Sequence, residues 1–463
     1  MKILDQISQN DSPAIIFKDI AINYSELQNR ILKTSHYLLE NDINADDRII
    51  ILSNNSVEFI ILVFSLWNIG AIPVPTNPNF TKNELNKIIE QVQPKRILIE
   101  ENLKIKISSE GIIEFPINIS LKNIADKKTL DKDNTALIIF SSGSSGEAKG
   151  IKLSYNNLFN SAKSQIKFLA LKKENKYLAS LPFYHIGGFS IITRTLFSRG
   201  IIIIPDSIKN DDIITAVEKY KPNSISLVPT QLKRLLDSNL KPYTDLKNVL
   251  IGGNFIDNSL VEEAVKNGLN IIKVYGSTET CSFITAKRIS LNNLNSNSVG
   301  KIIGNNKIKF IYNKIAVKGE SVMQGYFNQQ ADFTDDGYFI TEDIGYLDNN
   351  NELIVEGRQD DIIISGGENI SLKEIGNYLN KFKKLKDYAV IGLKDKEWGE
   401  IVTVVAVSKN NELFPLTDLN NFLSKYIAKY KLPKKLIFAD QIPRNEMGKV
   451  LRNELKRILN VEY

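Results

Sequence analysis

The sequence predicts an α/β protein built on parallel sheets covered by helices, followed by a smaller α+β domain. Three observations carry this. Short aliphatic and β-branched runs alternate with helical periodicity through most of the 463 residues, apolar residues are 43% and charged residues 24% of the chain, and the texture changes after about Gly357. Strands that are apolar along their whole length suit sheets buried on both faces, and alternation with helices suits parallel connections. The composition is that of a chain able to bury a large core.

In order, Arg48–Leu52 reads as a strand, Val57–Ile69 as a buried helix, Ala71–Val74 as a strand, Asn83–Val92 as a helix and Arg96–Ile99 as a strand. Further strands are expected at Ala136–Phe140, Tyr177–Leu181, Gly200–Ile204, Ser224–Val228, Asn248–Ile251 and Leu269–Val274. The carboxyl-terminal part predicts strands at Asp361–Ile364, Tyr388–Leu393, Ile401–Val407 and Lys435–Phe438, with helices at Ser371–Lys381, Leu416–Lys429 and Val450–Leu459. A length prior of roughly 150 residues per domain would give about three domains. The boundary is expected at a short turn, separating residues 1–359 from 360–463.

Composition excludes several classes. One cysteine, Cys281, forms no internal disulfide, which suits a reducing compartment. Two histidines, His36 and His185, leave little for a zinc site, so any metal should be a hard cation held by carboxylate, phosphate and water. The charge balance, 59 basic against 53 acidic residues, is +6 with scattered lysines, and no nucleic-acid recognition motif accompanies the densest run, Lys429–Lys435. Val57–Ile69 is too short for a membrane span, which needs ~20 apolar residues. The amino terminus has no signal-peptide core. A cytoplasmic protein is expected, with its oligomeric state open.

Several segments carry chemistry. Ser141–Gly150 (SSGSSGEAKG) follows an expected strand. Gly143 and Gly146 permit tight turns that aim N–H groups at an anion, Ser141, Ser142, Ser144 and Ser145 add hydroxyls, and Lys149 adds a mobile charge. The Walker A spacing is absent, and a plain flexible loop is the alternative. Tyr275–Thr280 (YGSTET) also follows a strand. Thr278 could donate to a phosphate, Glu279 could hold magnesium and Tyr275 could stack on a base, whereas an N-capped helix start explains the same residues. Upstream, Gly252-Gly253-Asn254 is either a close approach for a flat ligand or a turn. Asp343 and Arg358 suit a diol or a phosphate, or are surface charges. Lys449, in PRNEMGKVLR, stands on a loop before the last expected helix.

In this order and spacing, the set closely resembles the adenylate-forming superfamily of acyl-CoA synthetases, peptide-synthetase adenylation domains and luciferases, from about Tyr24 to Arg457. The resemblance implies a large amino-terminal domain of two sheet subdomains plus a distorted barrel, and a small mobile carboxyl-terminal domain. It implies ATP, Mg2+ and CoA, with an acyl-adenylate converted to a thioester. Residue by residue, it implies that Ser141, Ser142, Gly143, Ser144, Ser145, Gly146 and Lys149 form the loop over the phosphates. It places Gly252, Gly253 and Tyr275 beside the adenine, Asn254 and Gly276 also in the ATP site, Thr278 at the α-phosphate, Glu279 on magnesium, and Asp343 and Arg358 on the ribose. Lys449 would bridge the acid and the α-phosphate. Asp360 would be the hinge, and Gly366, Gly367 and Glu368 would meet CoA. Three departures stand out: serines and Ala148 replace the usual threonines and proline of the phosphate loop, Glu342 replaces the glycine before Asp343, and Leu372 replaces a proline.

Within the superfamily, YGSTETCS, IISGGENI, LPFYHIGGFSI and AKYKLPK resemble the o-succinylbenzoate–CoA ligases of menaquinone biosynthesis. Other aryl- or medium-chain fatty-acid–CoA ligases and carrier-loading adenylation enzymes are the alternatives. A non-enzymatic nucleotide-binding protein is the reading of a different class. His185 would gate the acyl pocket or simply close a turn. Arg194 would meet a substrate carboxylate or lie at the surface. Cys281 reads as pocket wall and His36 as a structural residue.

Overall fold

The computed structural model describes residues 3–7, 10–101, 103, 111–116, 124–142, 148–238, 245–253, 258–294, 296, 298–358, 362–379, 381–409, 412–443, 450, 455 and 457–459. Two compact units emerge. The first comprises 1–78, 91–140 and 150–357. The second comprises 358–463 together with two earlier segments, 79–90 and 141–149. The last division falls between Gly357 and Arg358, and the grouping of those two segments with the carboxyl-terminal part has no counterpart in the sequence reading.

In the first unit, one sheet runs in the order Ile72–Thr76, Arg48–Leu52, Arg96–Glu100, Ile112–Phe115, all parallel. A nine-stranded sheet has a parallel centre: Ile271–Ser277, Asn248–Ile251, Ser224–Leu227, Lys176–Leu178, Ile201–Ile204 and Pro13–Phe17. Ile20–Asn23 closes one edge antiparallel, while Ser282–Arg288 and Lys301–Ile302 close the other. Smaller sheets add Gly325–Tyr326 with Ala148–Ser154 and Thr135–Ser142, and an antiparallel set of Lys307–Ile311, Lys314–Lys318, Phe339–Leu347 and Leu353–Arg358. These supply the partial barrel. Because the central strands of the large sheet are parallel, their carboxyl ends share one side, where ligands of such sheets bind. His185, Gly252-Gly253 and the Tyr275–Thr280 segment all follow or end those strands.

The helix Val57–Ile69 forms as expected. Ser56 accepts from Phe59 N–H at 3.0 Å to cap its start, and Gly70 ends it at φ 84°. All but one of its residues are buried, so it is a core helix and not an amphipathic one. Trp67 anchors it, with Phe64, Phe189 and Tyr155 ring centres at 5.0, 5.8 and 6.0 Å and its indole N–H donating to Ala136 O at 2.6 Å. Among the described residues, no helix is long and apolar enough to cross a membrane.

In the second unit, Ile362–Ser365, Glu368–Ser371, Leu385–Asp395, Gly399–Ser408 and Lys435–Phe438 make one sheet, with helices Leu372–Leu379 and Leu416–Leu423. The expected helix to Lys429 stops at Leu423. From there the chain turns, so that Tyr426 stacks on Tyr378 at 5.1 Å and Ile427 enters the core. Half of the expected last helix, residues 451–454 and 456, lies outside the described residues, and residues 455, 457 and 458 are helical.

This unit buries an ion cluster. Lys431 Nζ donates to Glu84 at 2.6 Å and to Glu374 at 3.1 Å, and all three are almost fully covered. Burial pushes the Glu374 carboxyl above its ordinary range, with Lys431 opposing. Burial works against the Lys431 charge, yet the two carboxylates outweigh it and hold the ammonium above the usual lysine range. Lys431→Met would leave two buried carboxylates facing each other, a loss of about 3–5 kcal/mol. Protonation relieves such a pair, because a raised folded-state pKa stabilises only until pH climbs through it. The loss is therefore expected to be larger at pH 8 than at pH 5. Trp398, the tryptophan of this unit, reports it in urea titrations on a Trp67→Phe background; equal stability of parent and variant at both pH values would refute the cluster's role.

Candidate active site

The YGSTET segment is neither a helix start nor a loose loop. It is the end of strand Ile271–Ser277 and the tight turn into Ser282–Arg288. Gly276 is required there, because a Cβ would stand 2.1 Å from Ser282 O. Ser277 N–H donates to Thr280 Oγ1 at 2.8 Å, Cys281 N–H to Thr278 O at 3.0 Å, and Thr280 Oγ1 to Ser282 O at 2.8 Å. Cys281 and Ser282 adopt φ of 54° and 81°, a strained pair for residues with side chains. Thr278 and Glu279 thus ride on a rigid, loaded turn. Burial pushes the Cys281 thiol up to about 12, against a weaker pull from Ser161, so it is a protonated wall residue at neutral pH.

The turn is clasped from outside. Met323 N–H donates to Glu279 O at 2.8 Å, and Tyr326 Oη donates to Glu279 Oε1 at 3.2 Å. Glu279 is half-buried, a single oriented carboxylate. Such a donor fits magnesium, which takes one or two carboxylates and fills its shell with phosphate and water.

Tyr275 and Asp343, 68 positions apart, meet directly: Tyr275 Oη donates to Asp343 Oδ2 at 2.8 Å. Asp343 is 7% exposed, and its N–H donates to Thr341 Oγ1 at 3.2 Å. The expected adenine and ribose residues therefore form one surface. Gly252 has a packing reason, since a Cβ would press within 2.6 Å of Val274 Cγ2, and Gly253 turns at φ 79°. Gly252 thus lets its strand end lie close to Val274, and Gly253 supplies the positive-φ turn.

His185 is the N-cap of helix Ile186–Phe197, and its side chain makes no capping hydrogen bond. Its half-buried ring leans on Tyr184 at 4.8 Å. Asn55 orders this loop, accepting from Phe183 N–H at 2.8 Å and donating to Leu181 O at 2.9 Å.

Arg194 is not a surface residue. It is 1% exposed, and its ring of partners is neutral: Gln165 Oε1 and Ser190 Oγ at 2.9 Å from Nη1, Tyr177 Oη and Ser226 Oγ at 3.0 Å from Nη2. Its Nε has no partner, and no carboxylate contacts it among the described residues. Burial lowers its pKa, opposed by Tyr177.

In the second unit, Gly366 and Gly367 form the two-residue turn between Ile362–Ser365 and Glu368–Ser371, at φ 60° and 89°. Positive φ at both positions is what such a hairpin turn demands, so the glycines serve the turn first. The Trp398 ring lies against Gly366, 2.9 Å from where a Cβ would be, and Lys434 stacks over that ring at 3.3 Å.

Ser141 and Ser142 end strand Thr135–Ser142, and Lys149 is the second residue of Ala148–Ser154. Gly143, Ser144, Ser145, Gly146, Asn254, Asp360 and Lys449 lie outside the described residues. So does the side chain of Arg358, whose backbone ends strand Leu353–Arg358.

The family model of AMP-binding enzymes matches residues 6–327, and that of the AMP-binding enzyme carboxyl-terminal domain matches 374–449. The chain belongs to the AMP-binding enzyme family. It is 30% identical to the 2-succinylbenzoate–CoA ligase of Bacillus pumilus, covering 95% of this chain and 92% of that one. The Staphylococcus epidermidis ligase of the same name is 29% identical, covering 97% and 95%. Among solved structures, a double mutant of Bacillus subtilis o-succinylbenzoate CoA synthetase with a product analogue has a TM-score of 0.88 at 26% identity, covering 96% of each chain. The same synthetase with ATP and magnesium gives 0.71 at 26% identity, covering 96% and 97%.

Several neighbours of the candidate residues were not singled out in the sequence. Tyr326, which holds Glu279, sits in a two-residue strand with no motif around it. Gln165, Tyr177 and Ser226, which hold Arg194, looked like ordinary element interiors. Gln165 did carry a signal: it is a polar residue on the buried Tyr155, Leu158, Ser161, Ala162, Leu169 face of helix Tyr155–Leu169.

Proposed function

We propose that this enzyme is an ATP-dependent 2-succinylbenzoate–CoA ligase. Relatives of that name match it over nearly its whole length. The observation that carries the choice of acid is Arg194, a buried guanidinium held, among the described residues, only by neutral groups. A charge taken out of water without a counter-ion is costly, so its retention calls for an anion to complete it. 2-Succinylbenzoate has two carboxylates, one to be activated and one to be recognised, and Arg194 supplies the positive field for the second.

In the first half-reaction, a carboxylate oxygen attacks the α-phosphorus of ATP and pyrophosphate leaves. Tyr275 and Asp343 hold the nucleoside, and Thr278 and Lys149 meet phosphate oxygens. Lys449 brings the two anions together, which is positioning plus charge compensation. Magnesium, when bound at Glu279, withdraws charge from the phosphates. In the second half-reaction, the thiol sulfur of CoA attacks the acyl carbon and AMP leaves. Residues 360–463 act as the mobile domain, with Asp360 as hinge and the Gly366–Glu368 turn receiving CoA. His185 lines the entrance to the acid pocket.

A pyrophosphate-release panel of acids, run with and without CoA, tests this reading. 2-Succinylbenzoate is expected to give the highest kcat/KM, and acyl-CoA should accumulate with it. Preference for benzoate or an alkanoate would move the enzyme to another branch of the family, and adenylate without thioester would indicate a carrier-loading enzyme.

A further inference from the structure

Arg194 keeps its charge available because of the residue that faces it. Gln165 is wholly buried, and the chemistry of its neighbours dictates its orientation. A guanidinium only donates, so the amide oxygen must face Arg194, at 2.9 Å from Nη1. The amide nitrogen then points the other way and donates to Ser161 Oγ at 2.9 Å. That leaves the single Ser161 hydroxyl proton for Cys281 O, 2.5 Å away. The chain of bonds therefore runs from the guanidinium to the backbone of the strained turn that carries Thr278 and Glu279. A glutamate at position 165 would have the same shape and would satisfy Arg194 better in isolation, because a buried charge is normally paired. The site instead uses the neutral isostere, which fixes the guanidinium without cancelling it.

We propose that Gln165 is a positioning and specificity residue: it selects a dicarboxylic acid by orienting Arg194 while leaving its charge uncompensated, and it links that cation through Ser161 to the turn bearing Thr278 and Glu279. This rests on the reading of Arg194 as the partner of the second substrate carboxylate.

Gln165→Glu is the decisive variant, assayed by pyrophosphate release with 2-succinylbenzoate and with 4-oxo-4-phenylbutanoate, the same skeleton without the ring carboxylate. The internal ion pair should raise KM for the dicarboxylate about ten-fold or more, the scale of one charge-assisted contact. KM for the monocarboxylate should stay as in the parent. A purely structural residue would shift both acids alike, and that result, or an unchanged preference, overturns the proposal. Arg194→Gln run in parallel separates the two layers. If it collapses the preference while Gln165→Glu does not, only the role of Gln165 falls. If it leaves the preference intact, the reading of Arg194 falls and takes the proposal with it. Should Gln165→Glu not fold, Gln165→Met keeps the length and removes both bonds. A selective rise in KM for the dicarboxylate supports the proposal, and parental KM values for both acids overturn it.

Discussion

Lys449→Ala is expected to lower ATP-dependent pyrophosphate release by roughly 10²–10³-fold or more, while thioester formation from supplied acyl-adenylate survives. The reason is electrostatic. A carboxylate is a weak nucleophile and is repelled by the triphosphate, so a cation placed between them stabilises charge where the transition state gathers it, and removal of one such group costs on that order. Once the adenylate exists, the repulsion is gone and the second half-reaction no longer needs the bridge. Rapid-quench assays of the two half-reactions check this directly. Equal loss in both would assign Lys449 to folding or to domain placement instead.

Glu279→Gln should produce the second-largest effect, about 10²-fold on kcat for pyrophosphate release, with a raised magnesium concentration for half-maximal rate. The glutamine keeps the shape and can still accept from Tyr326 Oη, so the turn through Cys281 and Ser282 should persist and thermal stability should barely change. What it loses is the negative charge. A magnesium titration at saturating ATP reads the difference: an unshifted midpoint with a reduced rate would mean that Glu279 acts on the turn and not on the ion. The half-burial of Glu279 and its clasp by Tyr326 make the test clean, since the carboxylate is already held in one orientation.

Much of this was legible in the sequence because the signals are local. Val57–Ile69, Arg48–Leu52, Asn248–Ile251 and Lys435–Phe438 appear at the expected bounds, since each is marked by its own periodicity, cap or flanking turn. The candidate residues Tyr275, Thr278, Glu279 and Asp343 stand out in the sequence because they too lie in short local motifs. The expected helix to Lys429 failed because Tyr426 and Ile427 pack against partners far away in sequence, which outweighs local helical periodicity. The YGSTET turn was open between a phosphate loop and a helix start, because a serine before an acidic residue caps a helix as readily as it closes a hairpin.

By itself, the sequence determined the class of chemistry: which hydroxyls, lysines and carboxylates follow which strands, in an order that few families share. Spacing along the chain preserves that information, because strand ends and turns are local events. Only the tertiary structure decided which of those groups meet. It brought Tyr275 to Asp343, put Tyr326 on Glu279, and turned Arg194 from a residue of uncertain exposure into a buried cation with a neutral shell. Partners drawn from separate strands and helices, such as Gln165, Tyr177 and Ser226 around one guanidinium, are set by how elements pack, and no one-dimensional period encodes that.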